Sequence, residues 1–233
     1  MFRDGNKPAK TPGAALGGIR KTRVFLVDDH PLVREWLTNM INQQPDLVVC
    51  GEADGAPQAL EAIGGARPQV AIVDLSLKSG SGLELVKNLK QTCPDVAVVV
   101  LSMHDEMLYA ERVFRAGARG YVMKRESTSK VVEAIRSVVN GKRFISERVA
   151  AAMVERLVEG PPDGASPVAS LTDRELEVFE LLGQGKETRE IAAMLHVSVK
   201  TVQAFYALIK RKLNVATERE LLREAIRWHE NRS

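Results

Sequence analysis

The chain of 233 residues is 45% apolar and 27% charged, the usage of a folded protein of one or two domains rather than a disordered or fibrous one. Its longest apolar run, Val96 to Leu101, is strand-sized and far short of the roughly 18 residues a membrane span needs, and no apolar signal segment opens the chain, so a cytoplasmic protein is expected. Two cysteines, Cys50 and Cys93, are too few for a disulfide framework or a four-cysteine zinc site, and the net charge of +3 mainly reports residues 1–23, with six bases against one acid, so a DNA-binding face has to be argued locally.

Residues 1–21, rich in Gly, Pro, Ala and Lys, lack periodicity and are expected to form a disordered basic arm. Five short apolar runs follow: Val24 to Val27, Leu47 to Cys50, Val70 to Val73, Val96 to Leu101 and Gly120 to Met123. Four are almost continuously apolar, the pattern of parallel strands covered on both faces. Helical stretches near Pro31 to Gln43, Ala56 to Ile63, Leu83 to Gln91, Glu106 to Ala116 and Thr128 to Asn140 alternate with them. The alternation predicts an α/β doubly wound (βα)5 domain over residues 22–145.

Residues 146–170 read as a linker with a helix. Glu147 to Leu157 carries the apolar stripe Val149, Met153, Val154 and Leu157, either a linker helix packed on the first domain or plain core, and Gly160 to Pro167 breaks any helix. A second, all-α domain is expected over residues 171–233. Thr172 and Glu175 form a capping box, Leu171 can staple onto Leu176, and three more helices fit Thr188 to Leu195, Val199 to Leu213 and Thr217 to His229.

Ligands of doubly wound parallel sheets sit at the carboxyl ends of the strands. Asp28 and Asp29 follow the first strand, Asp74 ends the third, Ser102 the fourth and Lys124 the fifth. Three carboxylates brought together repel unless a cation neutralises them, and hard oxygen ligands suit Mg²⁺ or Mn²⁺. Such a pocket can accept a phosphoryl group: Asp74, on the central strand, is the nucleophile, Lys124 pairs with one phosphoryl oxygen and the Ser102 hydroxyl with another. The bland alternative has Asp28 and Asp29 capping the helix that begins at Pro31 and Lys124 as a solvated strand end. Placement at four strand ends favours the pocket.

Val27-Asp-Asp-His30, Val73-Asp-Leu75, Leu101-Ser-Met-His-Asp-Glu106 and Gly120-Tyr-Val-Met-Lys124, with spacings of 28 from Asp74 to Ser102 and 22 from Ser102 to Lys124, resemble the receiver domain of two-component response regulators. The resemblance implies Asp74 as phospho-acceptor, Asp28, Asp29, Asp74 and the Ser76 backbone carbonyl as the metal site, and Lys124 as phosphate partner. It also implies Ser102 and Tyr121 as a switch pair, Tyr121 turning inward when Ser102 moves toward the phosphoryl group. The chain departs from the family at Leu77-Lys-Ser-Gly-Ser-Gly82, where a Met-Pro pair is frequent. Lys78 is expected to be solvated, the other reading being attraction of a phosphodonor. His104 lies where the family modulates phosphoryl lifetime, or simply precedes the cap at Asp105.

In the second domain, two helices joined through His196 to Ser198 place the second helix for a DNA major groove. Val202, Tyr206, Ile209 and Leu213 make its buried stripe. Lys200, Gln203, Ala204, Ala207 and Arg211 occupy the other face: the alanines allow close approach, Gln203 can pair with adenine, and Lys200, Lys210, Arg211 and Lys212 can reach phosphates. The segment resembles the LuxR-type (NarL/FixJ) four-helix, helix-turn-helix output domain. That resemblance implies double-stranded DNA at Lys200, Gln203, Ala204 and Ala207, and a dimer contact through Leu221, Leu222, Ala225 and Ile226. Phe205, where histidine is frequent, and Glu187, in place of a small polar cap, depart from it.

The expected function is a cytoplasmic response regulator, not an enzyme. A histidine kinase phosphorylates Asp74, and the change controls homodimerisation and DNA binding to regulate transcription. An aspartyl-phosphate phosphatase or phosphotransferase shares the pocket but lacks a second acid two residues after Asp74, where Ser76 stands. A DNA-binding regulator that works without phosphorylation leaves the complete pocket unexplained.

Overall fold

The structure, a computed structural model, describes residues 21–159 and 167–230. The expected basic arm, apart from Lys21, and residues 160–166 of the glycine- and proline-rich linker lie outside the described residues.

Five parallel strands, β1 (Thr22–Val27), β2 (Leu47–Ala53), β3 (Val70–Val73), β4 (Ala97–Ser102) and β5 (Gly120–Met123), form one sheet in the order β2-β1-β3-β4-β5. Successive residues of a strand point to opposite faces, and both faces are covered. Val24, Leu26, Ile72, Val99, Leu101 and Val122 meet Leu37 and Ile41 of α1 (Pro31–Asn42) and Val131 and Ile135 of α5 (Thr128–Val139). Phe25, Val27, Val73, Val98 and Val100 face α2 (Ala56–Ala66), α3 (Gly82–Thr92) and α4 (Glu106–Ala116). Each fully buried aliphatic side chain stabilises the domain by about 1.5–3 kcal/mol. Central β3 is buried at all four positions, which explains its continuous apolar run and fixes Asp74 at the middle of the sheet edge. β2 runs to Ala53 rather than ending at Cys50, because its pairing with β1 resumes after a register shift between Val24 and Phe25.

Helix α6 (Glu147–Glu159) leaves the sheet domain with Val149 buried, Met153 packed on the core and Val154 exposed. It lies against α4, and the Ser146 hydroxyl both donates to Glu106 and receives the Val149 N–H. The helix therefore packs on the first domain through Val149 and Met153, and the Leu157 side chain of the expected stripe lies outside the described residues.

A 3-10 turn (Pro167–Ser170) leads into α7 (Asp173–Gly183), α8 (Thr188–Met194), α9 (Val199–Leu213) and α10 (Glu218–Glu230). Thr172 and Glu175 form the predicted capping box, and Leu171 and Leu176 are both buried. α8 and α9 cross at 107°, the turn between them passing through His196 in the left-handed region at φ 52°. Val202, Tyr206 and Ile209 are buried as predicted. α10 packs on α7, with the Phe179 and Trp228 rings 5.5 Å apart. Leu221 and Ala225 are fully buried in that contact, so the expected dimer face on α10 is corrected: two of its four residues belong to the domain core, while Leu222 is exposed. No single helix among the described residues is long and apolar enough to cross a membrane.

Candidate phosphorylation pocket and nucleic-acid interface

The carboxyl ends of β1, β3, β4 and β5 bring Asp28, Asp29, Asp74, Ser102 and Lys124 together. Asp28, Asp29, Asp74 and Ser102 are all buried. The Lys124 ammonium lies 2.6 Å from both Asp28 Oδ2 and Asp74 Oδ2. Burial pushes the Asp74 carboxyl above its usual range, against the opposing pull of Lys124. Burial also works against the Lys124 charge, but Asp74 and Asp28 outweigh it and the ammonium is held above its usual pKa.

Asp29 is the less satisfied carboxylate. Its buried Oδ1 accepts no hydrogen bond, although His30 Nδ1 comes within 2.8 Å, and Lys78 Nζ lies 3.6 Å from its Oδ2. Lys78 is 61% exposed, so it is solvated, as expected, and still reaches the pocket edge. Neither Asp28 nor Asp29 caps α1. The cap position is His30, whose N–H donates to Asp28 Oδ1 at 2.8 Å.

Ligand atoms of Asp28, Asp29, His30 and Asp74 all lie within 4.8 Å of one another. His30 was not predicted as a site residue. Its adjacency to the acidic pair was the available signal, but an exposed strand-end histidine reads equally as solvated. A buried, orphaned carboxylate oxygen among hard donors fits a small divalent cation. Ser76, expected to offer its carbonyl, donates its N–H to Asp74 Oδ1 at 3.2 Å, and its hydroxyl lies 2.9 Å from His104 Nε2.

Ser102 Oγ accepts the His104 N–H at 3.1 Å. Tyr121 is 2% exposed and donates its hydroxyl to the His104 carbonyl at 2.8 Å. In this structure the ring is already in the inward setting, where a neighbouring carbonyl satisfies its hydroxyl.

His104 also reaches the helical domain, its Nδ1 lying 3.0 Å from Glu180 Oε2 on α7. The Tyr109 hydroxyl donates to the same oxygen at 3.1 Å. Nearby, Arg112 binds Asp173 at 2.9 Å and the Leu171 carbonyl at 2.8 Å, and Lys87 lies 3.4 Å from Asp173. Burial alone would lower the His104 pKa, but the hydrogen bond and charge of Glu180, with Glu177 and Asp74 behind it, raise it. Burial would raise the Glu180 carboxyl, and His104 and Tyr109 reverse the direction. Sequence reasoning missed Glu180, because a glutamate on the polar side of an amphipathic helix carries no mark of a partner 76 residues away.

On α9, Lys200, Gln203, Ala204, Ala207 and Arg211 are exposed on one face, and Lys210 is half-buried. Lys212 does not join them. Its ammonium is held by Glu175 at 2.5 Å and the Ser170 carbonyl at 3.2 Å, so it ties α9 to the start of α7 instead of reaching outward. Phe205 packs on the core rather than offering a groove contact. At the start of α8 the Glu190 carboxylate takes the Glu187 N–H at 2.8 Å, so the cap survives the unusual residue.

Two family models match the chain: the response regulator receiver domain over residues 24–136 and the bacterial regulatory proteins of the luxR family over residues 169–225. The oxygen regulatory protein NreC of Staphylococcus carnosus is 32% identical over 88% of this chain and 97% of its own length. The response regulator UvrY of Escherichia coli K12 is 34% identical over 88% and 93%. The RcsB response regulator of Salmonella typhimurium superposes with a TM-score of 0.56 at 26% identity, covering 88% of this chain and 98% of that one. A further RcsB structure (TM-score 0.55, 26% identity, 88% and 97% covered) holds two RcsB dimers bound to two parallel DNAs. The receiver pocket, the helix-turn-helix and relatives that span nearly the whole chain agree: this protein belongs to the two-component response regulators that join a receiver domain to a LuxR-type DNA-binding domain.

Proposed function

We propose that a histidine kinase phosphorylates Asp74 in a receiver domain of residues 22–145, and that the change favours a homodimer whose helix-turn-helix domains, residues 171–233, bind operator DNA and regulate transcription. Residues 146–170 serve as the connecting segment. The observation that carries this reading is the buried set of Asp28, Asp29 and Asp74 with Lys124 bridging two of them at 2.6 Å.

In the transfer, an Asp74 carboxylate oxygen attacks phosphorus, the donor's P–N bond breaks and an acyl phosphate forms. Lys124 moves from the carboxylate pair to a phosphoryl oxygen, and the Ser102 hydroxyl turns to another. Asp28, Asp29, Asp74 and the Ser76 carbonyl would hold Mg²⁺ (or Mn²⁺), which offsets the charge gathering on the phosphoryl oxygens. Relatives in this family are DNA-binding regulators, which supports assigning base reading to Gln203, Ala204 and Ala207 and phosphate contacts to Lys200, Lys210 and Arg211.

The test is incubation of the whole chain with Mg²⁺ and acetyl phosphate. Base-labile labelling should reach one phosphoryl group per chain in the wild type and vanish in Asp74→Asn. Labelling of the variant at the wild-type rate would refute the assignment, and rapid multiple turnover would favour a phosphatase.

A further inference from the structure

The polar chain from Asp74 to α7 crosses the domain boundary. Ser76, whose N–H is on the Asp74 carboxylate, bonds His104 Nε2 at 2.9 Å, and His104 Nδ1 faces Glu180 Oε2 at 3.0 Å. A carboxylate only accepts, so Nδ1 carries its hydrogen toward Glu180, which fixes both the tautomer and the ring plane. Tyr109 reinforces this by donating to the same Glu180 oxygen and lying against the imidazole, ring centres 4.5 Å apart. The His104–Ser76 bridge links the loops after β3 and β4, the two strands that flank the approach to Asp74. On the receiver side the imidazole is held by one hydrogen bond, with Ser76, and by the Tyr109 ring, and the Glu180 carboxylate at Nδ1 completes its orientation.

We infer that Glu180 is a positioning residue for the receiver chemistry: from the DNA-binding domain it holds His104 against Ser76 across the mouth of the pocket, and so sets the lifetime of the phosphoryl group on Asp74. The inference rests on the reading of Asp74 as phospho-acceptor. Loss of the phosphoryl group requires a water oxygen to attack phosphorus in line. The acyl O–P bond then breaks, the Asp74 carboxylate is restored and inorganic phosphate carries away the water's protons. A bridge fixed over the mouth limits that approach, and equally limits a small phosphodonor. Release of Glu180 frees His104 to swing from Ser76 and opens both routes.

A cavity of about 110 Å³, lined by His104 and Tyr109 of the receiver domain and by Asp173 and Glu177 of α7, lies beside this contact. On this reading, a partner that binds the DNA-binding domain better when α7 is released shortens the phosphoryl lifetime.

The test uses the full chain, Mg²⁺ and radiolabelled acetyl phosphate, and reads the labelling rate and the decay of label after donor removal. Glu180→Ala should speed both at least threefold. In a His104→Ala background the same substitution should change neither, since the residue through which it acts is gone. Unchanged or slower decay in Glu180→Ala overturns the inference, as does an equal acceleration in both backgrounds. Glu180→Gln, which keeps an acceptor oxygen and the side-chain volume, should fall between wild type and Glu180→Ala, and it carries the test if the alanine variant fails to fold. Label that persists in Asp74→Asn would instead sink the phospho-acceptor assignment, a separate failure with a separate signature.

Discussion

Gly82 opens α3 directly against Asp74: a Cβ at position 82 would overlap the Asp74 carbonyl oxygen and come within 2.6 Å of Leu75 Cα. Both obstacles are backbone, which cannot turn away as a side chain can. Gly82→Ala should therefore push the end of β3 outward, destabilise the fold by about 1–3 kcal/mol and slow Asp74 labelling, although residue 82 offers no group to the phosphate. Urea unfolding and acetyl phosphate kinetics on one preparation check both effects.

Asp29 contributes a buried carboxylate oxygen without a hydrogen bond. Asp29→Ala should weaken Mg²⁺ binding, yet stabilise the metal-free protein by about 1–3 kcal/mol, the cost of leaving such a group unsatisfied. Thermal melts with and without Mg²⁺ should show the variant above wild type in chelator and no longer stabilised by added metal. A variant that melts lower in chelator would contradict the electrostatic account.

Tyr121 is anchored inward through the His104 carbonyl, beside Ser102. Tyr121→Phe keeps the ring in the core and removes the hydroxyl's contacts with the His104 carbonyl and Ser102, a hydrogen bond being worth about 0.5–1.5 kcal/mol. Labelling of Asp74 should remain, while the gain in DNA affinity on phosphorylation should shrink, and Ser102→Ala should act in the same direction. Binding isotherms with and without acetyl phosphate decide, and an undiminished gain in both variants removes the pair from signal transmission.

Gln203 and Lys210 should separate reading from anchoring. Gln203→Ala should cost about 1–3 kcal/mol on the preferred site and little on random DNA, whereas Lys210→Ala should weaken both and flatten the salt dependence. Lys212→Ala should do neither in the first instance. Its loss strips the buried Glu175 carboxylate of its charged partner, leaving the Thr172 N–H, and should lower the unfolding temperature, which a melt measures without DNA.

Glu175 contributes to the loss of stability in acid, beside Glu180. Burial would raise its carboxyl, but Lys212 and the Thr172 backbone and hydroxyl outweigh this and hold it below its usual value. With the folded pKa depressed, the unfolded state binds the proton more readily, so the stabilisation is present above the unfolded value of about 4.3 and is lost as pH falls through the folded one. Glu175→Gln should make the acid limb of the stability curve shallower; a limb as steep as that of wild type would exclude Glu175 as a contributor.

The sheet and its pocket were legible because two independent patterns coincide there. Continuous apolar runs mark strands covered on both faces, and a charged or hydroxyl residue immediately after such a run can only lie on the sheet edge, which placed Asp28, Asp74, Ser102 and Lys124. What stayed hidden depends on partners distant in sequence. Nothing local distinguishes Lys212, held by Glu175, from Arg211, which is exposed, nor Leu221, buried, from its exposed neighbour Leu222. The inward setting of Tyr121 is likewise fixed by a carbonyl 17 residues earlier.

The exposure of α9 bears on how fast the protein can respond. Lys200, Gln203, Ala204, Ala207 and Arg211 stay open to solvent while α7 is held to the receiver domain by Glu180 and Asp173, so no uncovering step precedes contact with a duplex. Loose, phosphate-driven association is then open to the protein in this arrangement, and association of that kind allows sliding and hopping along DNA. If phosphorylated copies pair as proposed, those already confined to a duplex would meet along a line rather than through the surrounding volume.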